Sequence, residues 1–153
     1  MTFPIWQSLP AMFFEQARRL ASRPFLWSKT AGGWRALTYG EVASDVRRVA
    51  RGLLALGVKP GDRVALVAEN RPEWPVADLA IMAIGAITVP TFTTNTAADH
   101  RHVLNHSGAR GVIVSTKAIT DARCLCCRSV TTGTCPPFAL RSLSCRRAGH
   151  ALA

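Results

Sequence analysis

The chain has 153 residues, 48% hydrophobic and 7% aromatic, which suits one globular domain with a real core and excludes wholesale disorder. Its net charge of +10 raises a nucleic-acid partner, but residues 1–118 hold fourteen Lys/Arg against eight Asp/Glu. Most of those Arg stand singly or on the polar face of a helix pattern, so a solvated surface is expected and no nucleic acid. The longest apolar run, LAIMAIGAITV at 79–89, falls short of the roughly 20 residues of a membrane-spanning helix, so no transmembrane segment is expected. The N-terminus lacks the basic stretch of a secretory signal, and cysteine is absent before residue 124, so the cytoplasm is the expected location.

Met12 to Ala21 has an apolar side (Phe13, Ala17, Leu20) and a charged one, and stops before Pro24, which predicts a short amphipathic helix. Two apolar-rich runs then flank Ala31-Gly32-Gly33, the pattern of a β-hairpin. Thr38 and Glu41 stand in capping-box relation, and Val42, Val46, Val49, Leu53 and Leu56 recur on one helical face. With Gly57 and Pro60 as stop signals, the pattern predicts a helix over 39–56. RVALVAE at 63–69 has the unbroken apolar character of a strand covered on both faces. Asn70 and Pro72 can open a further helix, EWPVADLAIMAIG, apolar on most sides and therefore buried. A short strand AITVP, a Thr-rich loop TFTTNT, a helix AADHRHVLNHS closed by Gly108, and a strand GVIVS at 111–115 complete the patterned part. Strand and helix alternate three times, which predicts an α/β fold, an incomplete doubly wound and mainly parallel sheet with helices on both faces.

At this point TYGEVASDVRRVARGLLALGVKPGDRVALVAENRPEW, residues 38–74, resembles the opening of AMP-forming acyl-CoA synthetases. The shared pattern is Thr-Tyr-x-Glu, a helix, Leu-Gly-Val, Gly-Asp-x-Val, and Asn-x-Pro-Glu-Trp. IGAITVPTFTTNTAADHRHVLNHSGARGVIVS, residues 84–115, continues it, and its Thr-Thr-Asn-Thr loop is most similar to the long-chain fatty-acid CoA ligase branch. The resemblance covers about residues 10–118, so 1–118 is expected to form the N-terminal part of an AMP-binding domain. It implies a ligase of fatty acid metabolism with fatty acid, ATP and CoA as partners and Mg²⁺ as cofactor. Such an enzyme joins a carboxylate to the α-phosphate of ATP and passes the acyl group to the thiol of CoA.

The family's chemical motifs are not in this sequence. There is no Ser/Thr/Gly-rich phosphate loop ending in Pro-Lys-Gly, no aromatic-Gly-x-Thr-Glu stretch, no ribose-binding Asp and no catalytic Lys of a mobile C-terminal domain. TTGTCPP at 131–137 begins like the phosphate loop but lacks its second Gly and a nearby Lys, and two prolines follow. No catalytic, cofactor-binding or metal-binding residue is assigned, and no cofactor is expected on this chain alone. Asn70, Glu73 and the loop Thr93-Thr94-Asn95-Thr96 read as scaffold. His100, His102 and His106 lack a third partner at ligand spacing and read as a polar helix flank.

All five cysteines (Cys124, Cys126, Cys127, Cys135 and Cys145) fall in the last thirty residues. Cys124 and Cys127 with Cys145 and His150 offer four zinc ligands, the basis of an alternative reading as a small basic protein whose tail binds zinc and even nucleic acid. Against it, Cys126 and Cys135 would be surplus, and Pro136-Pro137 interrupts the segment. Residues 122–153 contain no Lys, Glu, Asp or Asn, the composition of a GC-rich gene read out of frame. Residues 119–153 are thus expected to be a disordered, frameshifted Cys/Arg-rich tail, with zinc and a natural tail as alternatives. A fragment that ends inside a sheet is expected to aggregate or bind chaperones.

Overall fold

The computed structural model describes residues 5–115 and two strands at 130–135 and 138–143. Helix α1 (Leu9–Arg19) leads into a hairpin of β1 (Pro24–Thr30) and β2 (Gly33–Thr38), then α2 (Tyr39–Ala55). Next come β3 (Arg63–Val67), α3 (Glu73–Ala83), β4 (Ile87–Pro90), α4 (Ala97–Ser107) and β5 (Gly111–Val114). Strands β6 (Val130–Cys135) and β7 (Phe138–Leu143) follow.

The main sheet has five strands in the order β4-β3-β5-β7-β6. β3 runs parallel to both β4 and β5, while β7 is antiparallel to β5 and to β6. The expected α/β fold with a parallel sheet is what forms, and an antiparallel hairpin is added at one edge. The sequence reading assigned no element beyond residue 115, because Val-Thr-Thr-Gly-Thr-Cys has neither alternation nor an apolar run. Backbone pairing, of β7 to β5 and of β6 to β7, rather than side-chain pattern, defines these strands.

Alternation along the central strands sorts the core into two layers. Val64 and Leu66 of β3 and Ile113 of β5 face one side, where they join buried residues of α1, α2 and α3. Ala65, Val67, Val112 and Val114 face the other, against Leu104 of α4. α3 lies on the sheet with α2 and α1 packed on top of it. A helix in that middle position must be apolar nearly all round, and Val76, Ala77, Leu79, Ala80 and Ile81 are all buried.

Helix boundaries follow their caps. For α2 the capping box forms in full: the Thr38 amide donates to Glu41 Oε2 at 2.7 Å, and the Glu41 amide donates to Thr38 Oγ1 at 3.3 Å. α1 begins three residues before the expected Met12. Ser8 caps it, accepting from the Ala11 amide at 3.3 Å, and Pro10 sits in the first turn, where no helical N–H is needed. Asn70 does not cap α3; Pro72 holds that position without a side-chain cap bond.

The small hairpin is fixed at its base and free at its tip. Phe25 packs on Tyr39 with ring centroids 4.3 Å apart and on Phe13 at 5.5 Å, which ties the hairpin to α1 and α2. The reversal is closed by Gly33 at φ 120, a conformation that favours glycine.

Candidate functional site

β3 connects through α3 to β4 on one side, and β4 connects through α4 to β5 on the other. The carboxyl ends of β3 and β5 therefore form the switch point where doubly wound sheets bind ligands. Glu69 and Asn70 follow β3, Ser115 follows β5, and the Thr-rich loop follows β4. The Ser115 hydroxyl is shut off from solvent and has no partner of full hydrogen-bond geometry. It lies close enough to Glu69 that its hydroxyl, with the residue's own backbone amide, holds the Glu69 carboxyl below its ordinary value.

Within the Thr-rich loop, polar side chains bond to one another and to the start of α4. Asn95 Nδ2 donates to Thr91 Oγ1 at 2.8 Å, and the Thr91 amide donates to the Leu66 carbonyl at 3.1 Å. Thr96 caps α4 in a second capping box, its amide donating to Asp99 Oδ2 at 2.9 Å and its hydroxyl at 2.7 Å. Those bonds lower the Asp99 carboxyl, led by the Thr96 hydroxyl. The sequence carried this box in the T-x-x-D spacing of Thr96 and Asp99. Asp, with one methylene fewer, stands there where Glu is usual.

The three histidines do not converge. His100 is buried, whereas His102 and His106 lie exposed on α4 with stacked rings 5.6 Å apart. Among the described residues no three His, Cys, Asp or Glu side chains are grouped to hold a metal ion. Cys124, Cys126, Cys127, Cys145 and His150 lie outside the described residues, and Cys135 is the last residue of β6. Thr131 to Cys135 run extended, paired with β7. A phosphate cradle needs a turn that converges several N–H groups, and a paired strand points its N–H groups alternately outward.

A cleft of about 710 Å³ lies elsewhere, between the outer hairpin and the start of α3. Trp27, Lys29, Trp34 and Arg35 line one wall, and Asn70, Arg71 and Glu73 line the other. Arg71 Nε meets Glu73 Oε2 at 3.2 Å, so Glu73 is committed to an ion pair at the rim. The cleft joins residues some forty positions apart, so no local pattern announced it.

The family model for AMP-binding enzymes matches residues 13–139, beyond the expected limit at residue 118. The long-chain-fatty-acid–CoA ligase FadD15 of Mycobacterium tuberculosis is 40% identical over 102 residues, 67% of this chain and 17% of that protein. A peroxisomal long chain acyl-CoA synthetase 7 of Arabidopsis thaliana is 39% identical over 83 residues, 54% of this chain and 12% of that protein. The chain thus spans less than a fifth of the length of these curated relatives. Among solved structures, the N-terminal subdomain of NpsA from Klebsiella oxytoca superposes with a TM-score of 0.67 at 30% identity, covering 73% of this chain and 28% of that one. Order of elements, motif spacing and family match agree: the chain belongs to the AMP-binding enzyme family.

Proposed function

We propose that this chain is the N-terminal part of a long-chain fatty-acid–CoA ligase and that by itself it does not activate fatty acids. The supporting observation is the family's opening motifs, in order across residues 38–115, in a chain 40% identical to a mycobacterial ligase of that class over 102 residues. The intact ligase would use ATP, Mg²⁺, fatty acid and CoA. Adenylation requires the carboxylate held in line with the α-phosphate and cations to meet the charge that builds there. The residues present offer no phosphate loop and no catalytic Lys. Asn95 and Thr96 have their side chains engaged in a loop and a cap, which supports reading them, with Asn70, Glu73, Thr93 and Thr94, as scaffold. The chain would work in the cytoplasm, and its sheet edges make aggregation or chaperone binding its expected fate when alone.

The direct test supplies the purified chain with ATP, Mg²⁺, a long-chain fatty acid and CoA. No acyl-CoA above the protein-free blank is expected. Formation that scales with the chain, and is lost in the core variant Leu53→Ala, would overturn the proposal.

The tail carries a separate proposal, that residues 119–153 are out of frame. Its support is the absence of Lys, Glu, Asp and Asn from 122–153. The DNA downstream of about codon 120 should then encode ligase-like sequence in another frame, and finding none in either alternative frame ends the idea. Stoichiometric zinc on the reduced chain, with structure lost on chelation, would instead establish the zinc reading.

A further inference from the structure

His102 and His106 stand four positions apart on α4, so they share one side of the helix, a single turn apart. Both are exposed, and their rings lie nearly parallel, 25° apart in plane, with centroids 5.6 Å apart. Neither imidazole is engaged by a hydrogen bond or an ion pair among the described residues. His100, two residues earlier, is buried and does not belong to the pair. The helix beneath is held at both ends. Thr96 and Asp99 close its start with a capping box, and Gly108 ends it in the left-handed region beside the Arg63 guanidinium. Leu104 packs its inner side on the sheet. The fold therefore sets the spacing of the two histidines before any ligand arrives.

We propose that His102 and His106 together chelate one divalent transition-metal ion, Cu²⁺ most tightly and Ni²⁺ or Zn²⁺ less so. Imidazoles at i and i+4 of a helix are a known pair of metal ligands. A bond of about 2.0–2.1 Å from the ion to each nitrogen would bring the ring centroids to about 5 Å. Small rotations of two exposed side chains supply that change. Water completes the coordination, so the site is open and exchangeable. Asp99, one turn before His102, brings a carboxylate to the same side of the helix. Its Oδ2 is taken by Thr96, so it adds negative charge and not a metal bond. Nitrogen ligands suit copper, nickel and zinc in the usual order of affinity, whereas Mg²⁺ takes oxygen. The pair is thus no site for the Mg²⁺ of a ligase, and the proposal goes beyond the ligase reading without depending on it. Reading the pair as a polar flank required a third protein ligand, which an open two-histidine site does not need.

The test uses the full chain with its five cysteines alkylated, so that thiolates of the tail do not compete for metal. At neutral pH, one Cu²⁺ per chain is expected, with nitrogen couplings from two imidazoles in its electron paramagnetic resonance spectrum. The variants H102N and H106N should keep the far-UV circular dichroism of the unmutated chain. Each should bind at least about tenfold more weakly, a loss that even an outer partner of a metal ligand can cause. H150N should bind as the unmutated chain does, and millimolar Mg²⁺ should not displace the copper. Zn²⁺ should slow amide exchange in α4, because a bridge from i to i+4 opposes opening of the helix. Copper binding unchanged in both single variants, or copper bound without imidazole couplings, overturns the proposal. So does an alkylated chain that binds no more Cu²⁺ than its H102N/H106N variant.

Discussion

Single residues set where the helices of this chain begin and end. Thr38 caps the α2 N-terminus, its hydroxyl accepting from the Glu41 amide while its own amide donates to the Glu41 carboxylate, so Thr38→Ala is expected to lower stability by about 1 kcal/mol in urea unfolding. Its partner Glu41 is held below its ordinary value of 4.5, first by the Thr38 backbone amide and then by its hydroxyl. A carboxyl lowered on folding adds stability that is present above its unfolded value and lost as pH falls through its folded value. The thermal midpoint should therefore drop on acidification below about pH 4.5, and Glu41→Gln should flatten that drop. Asp99, lowered from 3.8 at the start of α4, acts in the same direction. At the other end of α4, Gly108 has φ 61, and a Cβ there would lie 3.0 Å from the Arg63 guanidinium. That guanidinium closes the helix end, its Nε donating to the Ser107 carbonyl at 2.8 Å. Gly108→Ala combines left-handed strain with displacement of Arg63 and should cost about 1–2 kcal/mol.

At the scale of elements, α2 tests the packing argument with two adjacent leucines. Leu53 is wholly buried between α2 and α3, and Leu54 beside it is half exposed. Leu53→Ala is expected to destabilise the chain by about 2–5 kcal/mol, and Leu54→Ala to stay within about 0.5 kcal/mol. Equal losses in chemical unfolding would mean that α2 is not docked as described. This helix was legible in the sequence to within a residue, because cap, 3–4 spacing, Gly57 and Pro60 all agree on it. The central strands were legible for a similar reason, since a run apolar on both faces fits only a sheet covered twice. α1 was placed late because its cap and proline precede the apolar rhythm. β6 and β7 had no side-chain signal. Of the candidate site, the loop after β4 could be read as a loop, but not the internal bonds of Asn95 and Thr96. The hairpin cleft arises only when distant segments meet.

For the whole molecule, a three-strand parallel centre between two helical layers carries the stability, and the edges are β4 and β6. Residue-resolved amide exchange should concentrate protection in residues 38–90 and fall off beyond 118. Amides of β7 exchanging as slowly as those of β3 would make 130–143 an integral part of the domain and count against an out-of-frame tail. The central claim is that this chain holds the family's scaffold without its chemistry. ATP–pyrophosphate exchange measures the first half-reaction alone, before CoA is needed. With a long-chain fatty acid, ATP and Mg²⁺, the account predicts exchange at the level of a protein-free control; fatty-acid-dependent exchange that survives repurification and rises in proportion to the chain would contradict it.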